Sequence, residues 1–162
     1  MDSDLNIRTA TVADLHDLMH LWQERQVILN QSDPRIPGPS SDTTQEAELH
    51  FRERMSDSAS LFIGDHNTHV VGYITGTIHQ DTGIVDAMAL DAHQYVPGLA
   101  RSLWHALHER WIERGVQQIA VCLPRYDTVA QAFWRALGAK RLHEIPPDQL
   151  WTIPSYNQWL TL

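Results

Sequence analysis

Strand-like runs alternate with helical patterns only in the second half of this chain, and that asymmetry limits what it can fold into. GIVDAMALD (83–91) reads as a strand and residues 98–114 as a long helix, with Leu99, Leu103, Leu107 and Trp111 on one stripe. QQIAVCLP (117–124) reads as a short apolar strand, and YDTVAQAFWRALGA as a second helix, with Asp127 or Thr128 as N-cap. Gly115 and Gly138 sit where helices end. The first half differs. LNIRT (5–9) is a short strand, and Thr11-Val12-Ala13-Asp14 resembles a capping box before Leu15, Leu18, Met19 and Trp22, which recur at helical spacing. Residues 31–42 hold three prolines, one glycine and three serines and mark a loop, with a second helix over 43–56. LFIGD (61–65) and HVVGYITGTI (69–78) flank the turn-like His66-Asn67-Thr68 and form a hairpin. KRLHEI and QLWTI in the tail add two strands.

The order is β-α-α-β-β-β-α-β-α-β-β. It predicts an α/β (α+β) fold: a mixed central sheet of about six to seven strands with helices on both faces. With no linker or repeat, residues 1–162 are expected to form a single domain.

Composition excludes several classes of function. The chain is 43% hydrophobic and 20% charged, with a formal charge of −8 and Lys140 as its only lysine. Its arginines are scattered, so no basic stripe suited to nucleic acid exists. No apolar run reaches membrane-spanning length, and the start lacks the features of a secretory signal. Cys122 is the single cysteine and no Cys/His metal spacing occurs, so no metal is expected and a cytoplasmic setting is the simplest reading.

Residues 94–102, QYVPGLARS, join a strand to the long helix. A helix N-terminus offers free N–H groups and partial positive charge to an anion. Gly98 admits a close backbone approach, Ala100 keeps the first turn slim, and Arg101 and Ser102 lie within reach of a phosphate. Any strand-turn-helix has such an end, and most bind only water.

The element order, this turn, and a following helix of the form AxxFWxxLGA together resemble the GNAT N-acetyltransferase superfamily. The resemblance runs from Ile7 to about Ile153 and is strongest over 83–139. It implies acetyl-CoA as co-substrate, with the pyrophosphate held by a turn of the form R/Q-x-x-G-x-G/A. Gly98 and Ala100 match its small positions, and Tyr95 stands where Arg or Gln is usual. Pro97 departs from the pattern because it has no N–H to donate. The cofactor-binding set is therefore Ala89, Leu90, Tyr95, Val96, Gly98, Leu99, Ala100, Arg101 and Ser102, with Asp127 and Trp134 from the last main helix.

Acetyl transfer to an amine needs a proton acceptor, an oxyanion donor and a proton for the leaving thiolate. In the resembled family the last is a tyrosine in A-x-x-F-Y. Here Trp134 follows Phe133, and an indole is no acid at useful pH. Tyr126 is the alternative donor, and water is another. Strict alternation over GIVDAMALD puts Ile84, Asp86, Met88 and Leu90 on one face. Asp86 then reads as a general base with a raised pKa, or as an aspartate paired with an arginine. His79 and His93 are further proton acceptors by type, although ten histidines make chance placement common. Gly72 and Gly76 alternate along one face of a strand and admit a ligand or a packed helix. The resemblance implies an acceptor pocket near that strand and the first two helices, bordered by the Pro-rich loop, with Trp22, Arg35 and Tyr73 as its wall.

The leading function is transfer of an acetyl group to a primary amine of a small molecule or peptide. A non-catalytic acyl-CoA-binding domain, serving as a sensor or interaction module, is the competitor. A longer acyl group or a hydroxyl acceptor is a third reading. A homodimer is expected if Trp151, Tyr156, Trp159 and Leu160 form an intermolecular contact; the same residues also suit the monomer's own core.

Overall fold

The computed structural model describes residues 4–141 and 157–162. Its elements are β1 (Leu5–Thr9), α1 (Leu15–Ser32), α2 (Ser41–Met55), β2 (Leu61–His66), β3 (His69–His79), β4 (Thr82–Leu90), α3 (Leu99–Glu113), β5 (Gln118–Pro124), α4 (Thr128–Ala136), β6 (Lys140–Arg141) and β7 (Asn157–Thr161). Among the described residues they form one mixed sheet in the order β1-β2-β3-β4-β5-β7-β6. All neighbours run antiparallel except β4 and β5. That parallel pair is the one whose strands are joined by a long helix, α3, as a parallel connection requires.

Helices cover both faces. Leu18, Leu21 and Phe51 of α1 and α2 pack with Leu61, Ile63 and Tyr73 on one side. Leu99, Leu103, Leu107 and Trp111 of α3 and Trp134 of α4 pack with Phe62, Ile74, Val85 and Val121 on the other. The apolar stripe read from α3 is thus its buried face.

Glycines let α3 lie close to the sheet. A Cβ at Gly76 or Gly83 would come within 2.6 and 2.3 Å of the Trp111 ring, and one at Gly64 within 2.5 Å of Leu99. The glycines of β3 therefore receive a helix. Trp111 is fully buried and donates its indole N–H to the Ala59 carbonyl at 2.7 Å. Leu99 and Trp111 pin the two ends of α3, which fixes where the helix begins.

Local rules account for the boundaries. Thr11 and Asp14 form the expected capping box, with the Thr11 N–H donating to the Asp14 carboxylate at 2.8 Å. Asn67 and Thr68 adopt positive φ and close the β2–β3 hairpin. Asp127 caps α4 by accepting from the Ala130 N–H at 3.1 Å.

Two expectations need correction. Alternation along β4 is broken. Thr75 pairs with Ala87 and Gly76 with Val85, so Asp86 is an extra, bulged residue. Met88 therefore packs toward α3, whereas Ala87 packs toward α1 and α2. Ile84, Asp86, Met88 and Leu90 do not share a face. In the tail, the strand beside β5 is Asn157–Thr161, where no strand was expected. QLWTI, Trp151 and Tyr156 lie outside the described residues. Trp159 and Leu160 are buried in this chain's own core, so they offer no surface for a second copy.

Candidate functional site

The sheet opens at the bulge. β4 and β5 pair only from Thr82–Gln118 to Val85–Val121. Beyond that point β4 runs on to Leu90, held by β3 alone, while β5 runs on to Pro124, held by β7. Among the described residues, the β5-facing backbone of residues 86–90 is left without a strand partner, so a polar ligand in this wedge can pair with it as a strand would.

Two cavities meet at the wedge. The first has a volume of about 450 Å³ and lies under α1 and α2, with Trp22, His50, Tyr73, Thr75, Asp86 and Cys122 in its lining. The second has a volume of about 440 Å³ and lies between α1 and α4, with Met88, Ala89, Leu90, Ala100, Tyr126 and Trp134 in its lining. Arg25 and Leu29 face both. Both volumes fall in the range of small-molecule sites.

Asp86 projects into the first cavity. One carboxylate oxygen accepts from Arg54 Nη2 at 3.0 Å, and the other accepts the Thr75 hydroxyl. The arginine-paired reading of Asp86 is therefore the observed state, and its bulged position turns the carboxylate toward the cavity. Arg54 and His50 were not apparent as site residues from sequence. The clue lies in the spacing: Glu46, His50 and Arg54 recur every four residues along α2 and share a face. Burial pushes the His50 pKa below its ordinary value, Asp86 pulls it back up, and Arg54 adds to the lowering. His50 is thus neutral at neutral pH. Cys122 also lines this cavity, but burial and the nearby Asp86 push its thiol up to about 11, which disfavours the nucleophilic thiolate.

The expected wall residues divide. Trp22 and Tyr73 line the first cavity. Tyr73 is fully buried, packs edge-on against Phe51 at 5.2 Å, and has its phenol pushed up to about 12 by burial. Arg35 lines neither cavity; it pairs with Asp33 at 2.7 Å and stacks over Tyr126 at 5.7 Å. Its loop neighbours Ile36 and Pro37 line the first cavity instead. Asn30 and Gln26 hold this loop by donating to the Ile36 and Pro37 carbonyls at 2.7 and 2.9 Å.

The turn at 94–102 has mixed character. Tyr95 is 91% exposed, whereas the Val96 and Leu99 side chains are core. The Leu99 N–H bonds to Val96 and the Ser102 N–H to Gly98. The N–H groups of Gly98, Ala100 and Arg101 have no partner among the described residues, and Arg101 is exposed without an ion pair. Gly98 has φ +76, and nothing lies within 4 Å of where its Cβ would be. A slim, donor-rich helix start thus faces open space at the end of β4, and its unpartnered N–H groups do not depend on Pro97, which has none to offer. Asp127 joins α4 to α1 through Arg25 at 3.6 Å. Trp134 is buried, packs edge-on against Trp104 at 5.1 Å, and also borders the second cavity. His93 instead faces Glu24 at 3.5 Å.

Among the described residues no cluster of side chains suits a metal ion, and no helix is long and apolar enough to cross a membrane.

Comparison with known proteins places this geometry. The PaiA N-acetyltransferase of Thermoplasma acidophilum, solved in complex with coenzyme A, superimposes with a TM-score of 0.76 at 12% identity, covering 99% of this chain and 98% of that one. The ribosomal-protein-S18-alanine N-acetyltransferase of Escherichia coli gives 0.67 at 16% identity, covering 98% and 92%. The N-acetylglutamate synthase of Neisseria gonorrhoeae, complexed with coenzyme A and N-acetyl-glutamate, gives 0.71 at 14% identity, covering 99% of this chain and 35% of that one. These identities establish a shared fold. A search of curated protein sequences finds no match. Residues 15–139 match the acetyltransferase (GNAT) family, a span that holds the bulge, the wedge and the turn, and the chain belongs to that family.

Proposed function

We propose that the protein transfers an acetyl group from acetyl-CoA directly to a primary amine bound in the first cavity. The observation that carries this reading is the wedge between β4 and β5, where a donor-rich helix start, an unpaired strand edge and two cavities converge. The pyrophosphate lies against the free N–H groups of Gly98, Ala100 and Arg101, with the Arg101 guanidinium beside it. The pantetheine arm runs along residues 86–90 in place of the missing strand and packs on Ala89, Leu90 and Trp134. Acetyl-CoA brings a thioester to the point where the cavities meet.

The acceptor enters as an ammonium ion and reacts as the neutral amine. Asp86 takes the proton, oriented by Arg54 and Thr75. The amine nitrogen then attacks the thioester carbonyl, and an unpaired β4 N–H supports the oxyanion. The C–N bond forms, the nitrogen gives up its second proton to water, which restores the Tyr126 phenol after that phenol has protonated the thiolate, and the C–S bond breaks. The thiolate receives a proton from Tyr126, on the rim of the second cavity, and the products are an amide and coenzyme A.

Pro97 and Trp134 carry the competing reading, a domain that binds acyl-CoA without turnover. Titration calorimetry with acetyl-CoA, followed by an assay of thiol release over a panel of amines, separates the two. Micromolar binding with amine-dependent release supports catalysis. Binding with no release on any amine supports the sensor, and no binding at millimolar ligand removes both.

A further inference from the structure

The first cavity is unbalanced in charge. Its described lining carries one guanidinium group, Arg25, and two carboxylates, Glu46 and Asp86. Asp86 is engaged at 3.0 Å by Arg54, which is not itself part of the lining. Arg25 is engaged by Asp127 at 3.6 Å, from outside this cavity. Glu46 has no ion pair or hydrogen bond with any described residue. His50 sits one helical turn from Glu46 and adds no positive charge at neutral pH, because burial lowers its pKa. The described lining therefore presents one free negative charge and no free positive one. The same lining supplies apolar and aromatic surface from Trp22, Leu29, Phe51 and Tyr73.

The positions of the two carboxylates add a direction. Glu46 is exposed, and it lies eight residues from Arg54 along α2, a rise of about 12 Å. Glu46 thus marks the mouth, and Asp86, beside Arg54, marks the floor. An incoming cation meets the exposed Glu46 before the half-buried Asp86.

We propose that the acceptor is a cationic amine with an apolar or aromatic body and no carboxylate, selected at the mouth by Glu46. The inference rests on the acetyl-transfer reading of this cavity and narrows it. A free amino acid brings a carboxylate that finds no uncommitted cation in the described lining, and Glu46 repels it. Removing that carboxylate leaves the amine that reacts and the body that packs.

Matched pairs test this: tyramine against L-tyrosine, phenethylamine against L-phenylalanine, and isoamylamine against L-leucine, each with saturating acetyl-CoA. The expected result is that each amine exceeds its amino acid in kcat/KM by about tenfold or more. Glu46→Gln is expected to lower kcat/KM for the amines several-fold, chiefly through KM, and to leave acetyl-CoA affinity unchanged. Glu46→Lys is expected to narrow the preference or reverse it. Equal or better turnover of the amino acids overturns the inference while leaving acetyl transfer intact. An amine preference that Glu46→Lys does not alter also overturns it. Turnover of no compound in the panel rejects the acetyl-transfer reading, and this inference with it.

Discussion

Asp86 combines features that strand alternation does not supply. As a bulged residue it projects into the first cavity, and its two carboxylate oxygens are already oriented by Arg54 and Thr75. Asp86→Asn keeps the shape and removes the proton acceptor. It is expected to lower kcat by about 10²-fold or more while leaving acetyl-CoA affinity in place. Calorimetry run beside the rate assay checks this, and an unchanged kcat rejects the base assignment. His50 makes a different prediction, one about stability. Its pKa is depressed by burial, so the fold favours the neutral imidazole. The resulting stabilisation is present above the unfolded-state pKa of about 6.5 and is lost as pH falls through the lower folded-state value. His108, also depressed by burial, acts in the same sense. Melting temperature is therefore expected to fall between neutral pH and about pH 5, and His50→Gln should flatten part of that slope. An identical slope in the variant shows that the imidazole carries none of the effect. Asp86 stood out in the sequence as an acid within an apolar strand. Arg54 and His50 did not, because their role depends on α2 crossing β4, a long-range contact that local periodicity does not record.

At the scale of elements, α3 sets the geometry of the site because the sheet makes room for it. Gly83→Ala would put a Cβ 2.3 Å from the Trp111 ring, so the helix or the ring must move. A loss of about 1–3 kcal/mol is expected in a denaturant melt. Acetyl-CoA affinity should weaken with it, because Trp111 anchors the helix whose other end forms the turn. Gly98 acts through backbone conformation instead. Its φ of +76 suits glycine, and the space in front of it is open. Gly98→Val, β-branched at a positive φ, is expected to shift the helix start and weaken acetyl-CoA binding about tenfold or more. Pro97→Ala restores an N–H and should weaken nothing. If Gly98→Val binds as well as the parent, the turn is only a helix start. The helices and hairpin were legible from stripes, caps and turn residues. The bulge was not, because one extra residue in GIVDAMALD has no compositional mark and is fixed only by the register against β3.

The whole molecule is a sheet that separates along one line. Alternation of strands and helices in the second half was sufficient to place β4 and β5 in a mixed sheet with α3 between them. The opening beyond Val85–Val121 was not legible, because it coincides with the β4 bulge and with the pairing of β5 to Asn157–Thr161, where local sequence carries no strand signal. An open strand edge leaves backbone groups to water that a ligand can satisfy, so stability should be coupled to ligand. Binding to the native state alone contributes RT ln(1 + [L]/Kd), about 2.7 kcal/mol at a hundredfold excess over Kd. For a chain of 162 residues that corresponds to a rise in melting temperature of roughly 5–10 °C. Coenzyme A and acetyl-CoA should both produce it, since in the proposed pose the turn and the strand edge hold the parts they share. Pantetheine alone, without the pyrophosphate, should give much less. The amine acceptor by itself should give little, since Trp22, Tyr73 and their neighbours already close the first cavity on one side. A scan showing the full rise with pantetheine would assign the binding energy to the wedge alone and remove Gly98, Ala100 and Arg101 from the site. A scan showing no rise with acetyl-CoA at millimolar concentration would mean that the wedge in this chain is not a cofactor site.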